Sequence, residues 1–190
     1  EEHFKSLKSA MEELTQGVWI PTWNANDESI ASWKDMPLKE LSDEKLLVLA
    51  KAYSKSPETK TSESNEKYEE EEEEEEERVV AYDPQLAFEL YKLCHDHGNV
   101  QGMYATAICY LEGKGIERNI MKAYEILNKI LDESKFAPAE YTLSTIYKSG
   151  IVINSKTKVK MDHETSFKLA SSAGENGHPL ALLSIANSYW

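Results

Sequence analysis

The stretch DPQLAFELYKLCHDHGNVQGMYATAICYLEGKGIERN, residues 83–119, carries the pattern that decides the fold of most of the chain. It opens on Asp83, and Asn119 stands at the corresponding point 36 residues later. From Ala87 an apolar stripe with helical spacing runs forward and stops before Gly98. Asp and Asn are preferred helix N-caps, and Gly is the usual residue just after a helix end. The stretch therefore predicts an amphipathic helix, a bend and a second helix.

The same block returns twice more along the chain. The caps of the three copies are Asp83, Asn119 and Asp162. They lie 36 and then 43 residues apart, so the second connection is seven residues longer. In each copy a small residue follows the cap by four positions and starts a stripe with the spacing of one helix face. The stripes are Ala87, Leu90, Tyr91 and Cys94; Ala123, Ile126, Leu127 and Ile130; and Ser166, Leu169, Ala170 and Ala173.

The second helix of each copy has its own pattern, with small residues eight and three positions before a tyrosine. The three tyrosines are Tyr110, Tyr147 and Tyr189. Together with the Gly-x-Gly turn of residues 113–115, the pattern resembles the Sel-one-like repeat (SLR), which is related to the tetratricopeptide repeat. The resembling copies are 83–118, 119–161 and 162–190, the last of them truncated. Gly102 and Thr106 stand where Ala and Leu are more usual in the repeat.

The resemblance implies an all-α, right-handed solenoid of antiparallel helix pairs, with roughly seven or eight helices in all. Residues 1–56 are expected to form a degenerate earlier pair. Leu49 and Tyr53 have the spacing of a second helix, and residues 2–14 would be its partner. A Trp-rich segment connects the two, and residues 17–37 show no clean helical or strand period.

An acidic segment, residues 57–79, separates this pair from the repeats of 80–190. It carries twelve glutamates and three basic residues, so most of the chain's net charge of −13 is local. Because like charges repel, we expect a disordered, solvated insertion in a loop between repeats. The alternative is that the negative charge of this segment attracts a basic partner. The rest of the chain lacks clustered positive charge, so it is not expected to bind nucleic acid or anionic membranes.

The cysteine content and the apolar runs indicate in which cellular compartment the protein is expected. Cys94 and Cys109 do not make a disulfide framework, and they are expected to be buried free thiols. There is no Asn-x-Ser/Thr sequence. Both features favour an intracellular, reducing compartment, the cytosol or mitochondrion, over the endoplasmic-reticulum lumen. No apolar run reaches the roughly 18 residues of a membrane span. A start without Met or a signal peptide indicates a processed or trimmed chain.

No motif in the sequence points to catalysis. The run Cys94-His95-Asp96-His97 has metal-ligating residue types, but four consecutive helical residues point in four directions and cannot converge on zinc. The turn of residues 113–115 lacks the pattern of a phosphate-binding loop. The sequence therefore predicts no enzyme, no cofactor and no metal site.

Two groups of residues are candidates for partner binding. They are Trp19, Trp23 and Trp33, and Lys156, Lys158 and Lys160. Buried Trp residues dominate many interfaces. The alternative is that they form a cap over the first helices. The lysines fall in the long connection 150–161, where a hairpin-like finger could meet an acidic partner. The alternative there is a tolerated surface insertion.

The resemblance implies a non-enzymatic adaptor or scaffold that binds other proteins through a curved surface. Two alternatives stay open. One is a regulatory or assembly subunit of an enzyme complex, such as a mitochondrial biogenesis factor or a synthase activator. The other is an endoplasmic-reticulum quality-control adaptor for a ubiquitin ligase. Leu182, Leu183 and Tyr189 on the last helix are expected to be exposed, which predicts self-association or docking at that face.

Overall fold

The computed structural model describes residues 27–55, 80–152 and 158–188. The helices in these ranges are α1 (Asp27–Trp33), α2 (Asp43–Ser54), α3 (Pro84–Asp96), α4 (Val100–Glu112), α5 (Ile120–Glu133), α6 (Ala137–Ser149), α7 (His163–Glu175) and α8 (Pro179–Ser188). A 3-10 turn covers Leu38–Glu40, and the two short strands are β1 (Ile151–Val152) and β2 (Lys158–Val159). The expected helix at 2–14 and the acidic segment 57–79 lie outside the described residues.

The first helix of each repeat begins at the predicted cap. The side chains of Asp83, Asn119 and Asp162 each accept a hydrogen bond from the backbone N–H three residues later, at 3.0, 3.1 and 3.0 Å. An amide at a helix start has no partner within the helix, so the cap oxygen satisfies it. The cap pattern in the sequence is confirmed at all three sites.

The cap residues also tie each repeat to the one before it. The backbone N–H of Asn119 donates to the carbonyl of Tyr110 at 2.8 Å, and Asp162 donates in the same way to Tyr147 at 2.9 Å. Asp83 donates to the carbonyl of Tyr53 at 3.0 Å. Tyr53 therefore has the position of a repeat tyrosine, and α2 packs against α3 as the second helix of an earlier copy would.

The helices stack in sequence order, each against its neighbours on either side. Residues of α2, α3 and α4 form one apolar cluster, and residues of α4, α5 and α6 form a second. Helix α4 contributes Ala105 and Cys109 to the first cluster and Met103 and Ala107 to the second. Because one helix serves two neighbouring cores, the core is continuous along the stack, as in a solenoid. The predicted all-α solenoid is confirmed.

The backbone conformation at the end of the first helix differs between the copies, because the residue there differs. Gly98 and Gly177 follow α3 and α7 with φ of +80° and +85°, values that glycine adopts freely. Ser134, which replaces glycine in the second copy, has φ of −156° and ends α5 in extended backbone. The substitution therefore changes the exit of the chain from α5 without disturbing the helix pair.

Helix α1 was not predicted, because residues 17–37 show no helical period. It has seven residues, and Ile30 and Trp33, three positions apart, are half-buried against the first cluster. Two apolar contacts are too few to make a periodic pattern in the sequence. Packing against α2, rather than local propensity, is what stabilises this helix.

The long connection after α6 forms the expected hairpin at its base. Ile151 pairs with Val159 and Val152 with Lys158 in an antiparallel register. Ile151 and Val159 are half-buried against the second cluster, which holds the hairpin to the stack. The tip of the hairpin, residues 153–157, lies outside the described residues.

Candidate functional site

A groove opens where two successive repeats meet, between α3 and α5, with α4 as its floor. Its cavity volume is about 180 Å³. The lining residues are Lys92, His95 and Asp96 from α3, Thr106 and Tyr110 from α4, and Lys122, Glu125 and Ile126 from α5. These eight residues define the groove.

Two side chains of the groove differ from their counterparts in the next repeat. The repeat spacing aligns His95 with Leu131 and Thr106 with Leu143. Leu143 is fully buried and Leu131 is half-buried against the second cluster. In the first repeat a hydroxyl side chain and an imidazole stand in place of this leucine pair, and the space between the helices remains open.

Some polar groups in the groove have a hydrogen-bond partner and others do not. The hydroxyl of Thr106 is buried and donates to the carbonyl of Gly102 at 2.8 Å. Nδ1 of His95 is buried and has no hydrogen-bond partner within the described residues. Burial, and secondarily the charges of Lys129 and Lys92, lower the pKa of His95, while Asp96 opposes this shift. His95 is therefore neutral at pH 7.

The two lysines of the groove have different surroundings. Lys92 Nζ lies 2.7 Å from Asp96 Oδ2 in an exposed pair one turn apart on α3. Lys122 Nζ lies 5.3 Å from the centre of the Tyr110 ring, the distance of a cation–π contact. Within the described ranges no carboxylate lies at ion-pair distance from Lys122, so its charge is not neutralised directly.

The stack of helix pairs is similar to two solved structures. One is a Sel1 repeat protein from Oxalobacter formigenes, with a TM-score of 0.61 and 16% identity over 84% of this chain. The other is a protective antigen present in uropathogenic Escherichia coli strains and displaying an SLR fold, with a TM-score of 0.60 and 18% identity over 86% of this chain. The chain has the SLR fold.

The chain spans 54% of the first of these proteins and 29% of the second, so both are longer. No family model and no curated protein matches the sequence. None of the helices in the described part of the chain has both the length and the apolar character needed to cross a bilayer.

The candidate tryptophans and lysines lie apart from the groove where they are described. Trp33 is half-buried against the first SLR cluster, with Lys45 Nζ 5.4 Å from the centre of its ring. Lys160 is exposed just after β2, which includes Lys158. Trp19, Trp23 and Lys156 lie outside the described residues. The structure thus places Trp33 against the first cluster and Lys160 at the end of the second repeat, just before α7.

The run of residues 94–97 diverges at the end of α3. The thiol of Cys94 approaches the carbonyl of Asp43 at 3.7 Å, and Nδ1 of His97 lies 2.6 Å from the Asp43 carboxylate. Asp96 bonds to Lys92 and His95 lines the groove. In the described ranges no three His, Cys, Asp or Glu side chains cluster closely enough to hold a metal ion.

Both cysteines are buried and free, as the sequence predicts. Burial raises the pKa of Cys94 and of Cys109 to about 12. At pH 7 both are thiols rather than thiolates, so neither is an activated nucleophile. They serve the SLR fold as small apolar side chains in the first cluster.

The outer face of α8 is exposed as expected. Leu182 and Leu183 are 54% and 44% exposed. The repeat spacing aligns them with Met103 and Tyr104 of α4, which are only 1% and 8% exposed. The next SLR repeat covers that face of α4, whereas no described element covers the face of α8. Tyr189 lies outside the described residues.

Sequence reasoning missed the groove as a site. Thr106 was visible as a departure from the repeat pattern, and His95 drew attention only as part of a possible metal motif. Aligning His95 with Leu131 and Thr106 with Leu143 was the available signal. A loss of apolar character at both positions, and of volume at Thr106, indicates a candidate site between the two helices, provided that the two side chains face each other.

Proposed function

We propose that this protein is a non-enzymatic scaffold that binds partner proteins by holding a peptide segment in the groove between α3 and α5. The observation that carries the proposal is the groove itself, a cavity of about 180 Å³ open between two successive repeats. The SLR fold supports it, because stacked helix pairs offer an extended surface for recognition.

The walls of the groove are formed by helices that pack against one another. Helix α4 packs against both α3 and α5 through the two apolar clusters. Tyr110, at the floor, is held edge-on by Phe88 at 5.4 Å between ring centres. A preformed site loses little conformational entropy on binding, so modest contacts give measurable affinity.

Panning a phage library of random dodecapeptides on the 190-residue protein tests the proposal. We expect related peptides to be enriched and to bind with micromolar Kd by isothermal titration calorimetry. Amide NMR shifts should map to α3, α4 and α5 rather than to α7 and α8. No enrichment over an unrelated helical-repeat protein, or catalytic turnover found in a hydrolase and transferase screen, would contradict the proposal.

The tryptophans and the hairpin lysines are proposed as additional contacts with the partner. For Trp33 the packing against the first cluster favours a cap. Trp33→Ala should therefore lower the urea midpoint, whereas Trp19→Ala and Trp23→Ala should leave it unchanged if those residues serve a partner. Replacing Lys156, Lys158 and Lys160 by Ser should weaken partner binding and its salt dependence. Unchanged binding in the lysine variant would remove the hairpin from the interface.

A further inference from the structure

We infer that the groove selects peptides in which a leucine-sized apolar side chain adjoins an acidic residue. The apolar side chain would fill the space between Thr106 and Ile126, and the carboxylate would pair with Lys122. This inference rests on the proposed function and names the chemistry of the segment that the scaffold holds.

The preference for an apolar side chain follows from the residues that occupy the equivalent space one repeat later. There Leu131 and Leu143 occupy the contact between α5 and α6. In the first repeat the smaller Thr106 and the polar His95 stand at these positions, beside a groove of about 180 Å³. An engineered apolar cavity of roughly 150 Å³ holds one benzene molecule, so the groove has room for one side chain of leucine size. A partner would supply from outside the apolar group that the second repeat supplies from its own sequence.

An apolar occupant would leave the polar groups of the groove as they are, since Nδ1 of His95 has no described partner with or without it. The Thr106 hydroxyl is already bonded to Gly102, and His95 is uncharged at pH 7 because its pKa is lowered by burial. No buried charge would have to be desolvated for an apolar side chain to enter.

The preference for an adjacent acidic residue follows from the surroundings of the two groove lysines. Lys92 is already paired with Asp96, whereas Lys122 has only the Tyr110 ring as its close partner among the described residues. The ammonium of Lys122 favours a carboxylate beside the inserted side chain. Glu125 also lines the groove. A peptide with basic flanks is therefore the necessary comparison.

Three synthetic peptides in one Gly/Ser host test the inference against the isotope-labelled 190-residue protein. Their centres are Asp-Leu-Asp, Asp-Ala-Asp and Lys-Leu-Lys, and Kd is measured by amide NMR titration. We expect Asp-Leu-Asp to bind about tenfold more tightly than Asp-Ala-Asp, because the alanine leaves the pocket unfilled. Lys-Leu-Lys should be the weakest. Equal affinities, or no binding of Asp-Leu-Asp, would overturn the inference.

Two variants locate the binding. Thr106→Leu restores the residue found at Leu143, so it should fill the pocket and weaken Asp-Leu-Asp about tenfold, with circular dichroism unchanged. Lys122→Glu should make Lys-Leu-Lys bind more tightly than Asp-Leu-Asp. If Thr106→Leu does not fold, Lys122→Glu alone tests the inference. Lys168→Glu, at an exposed position of α7, is the matched charge control and should change nothing.

The outcomes separate this inference from the proposed function. Unchanged affinity for Asp-Leu-Asp in folded Thr106→Leu, or in Lys122→Glu, would overturn the inference. If library-selected peptides nevertheless bind both variants as they bind the original chain, the protein is a scaffold that binds at another surface, and the groove is not its peptide site. If neither the library nor the three peptides bind, both proposals fail.

Discussion

At the scale of single residues, close contacts between helices decide which substitutions the fold accepts. Gly102 lies where α4 crosses α3, and a Cβ there would meet the Cβ of Cys94 and, at 2.8 Å, the backbone of Cys94 and His95. Ala139 and Ala181 hold the equivalent positions in the later repeats and are fully buried. Repeat spacing predicts a small residue here, but only the approach of α3 explains why the first repeat carries glycine.

Replacing Gly102 by alanine should therefore destabilise the protein, although alanine is the better helix former by about 1 kcal/mol. Overpacking against backbone atoms costs typically about 1–3 kcal/mol, and we expect a net loss of about 1–2 kcal/mol. Urea denaturation measures it. Gly174→Ala is the control, because its Cβ would meet only the side-chain ends of Leu182 and Ile185, at 3.0 and 3.3 Å. Equal effects of the two substitutions would show that close approach is not the cause.

Two histidines give the stability a pH dependence of known sign. His178 stacks on Tyr141, and its Nδ1 accepts the backbone N–H of Ala181 at 3.3 Å at the start of α8. Burial lowers the pKa of His178 and of His95 below the ordinary 6.5. In the unfolded chain both groups take up protons at higher pH than in the folded chain. The stability they contribute is therefore fully present above about pH 6.5 and is lost as the pH falls through their folded pKa values.

We expect the urea midpoint to decrease between pH 7.5 and pH 5.5. The double variant His95→Gln, His178→Gln should show a smaller decrease over the same window, because glutamine does not titrate. A decrease of the same size in the double variant would assign the pH dependence to other groups.

At the scale of helices and their contacts, the two interfaces between repeats are chemically different. Position 103 of α4 is the buried Met103, whereas the equivalent position of α6 is Glu140, which is only 3% exposed. The Glu140 carboxylate accepts hydrogen bonds from Ser172 at 2.8 Å and Asn176 at 3.1 Å, both at the end of α7. The second interface is thus held partly by a buried polar contact that specifies its register.

Removing this carboxylate should weaken the contact between α6 and α7. Glu140→Ala leaves two donors without their acceptor and creates a small cavity, so we expect a loss of about 1–3 kcal/mol in the free energy of unfolding. Glu164→Ala on α7 removes a carboxylate whose pair with Lys168 is largely exposed, and it should have little effect. Chemical denaturation of both variants compares the two. A similar change in both would argue against a structural role for Glu140.

At the scale of the whole molecule, each helix is covered by the next one, and no described element covers the outer face of α8. Leu182 and Leu183 are exposed there, although their counterparts Met103 and Tyr104 are buried. Exposed apolar residues on a helix with no charged side chain favour association. The sequence predicts this face, and the exposure of both leucines is confirmed, while the partner that covers it is a proposal.

If a second copy of the chain covers this face, Leu182→Asp combined with Leu183→Asp should shift the protein toward the monomer. Sedimentation velocity over a range of concentrations measures the shift. Leu38→Asp replaces an equally exposed leucine far along the stack, before α2, and should not change the association. A chain that is monomeric at every concentration before any substitution would rule out self-association at α8.

The sequence by itself determined the helix caps, the apolar stripes and the order of the helix pairs. These depend on residues a few positions apart, so their spacing can be seen in one dimension. Only the tertiary structure decided that α1 packs as a helix, that Glu140 lies buried against α7, and that the groove lies open at His95 and Thr106. The volume of a cavity and the satisfaction of a buried carboxylate depend on side chains from different helices, and their distances are known only once the helices have stacked.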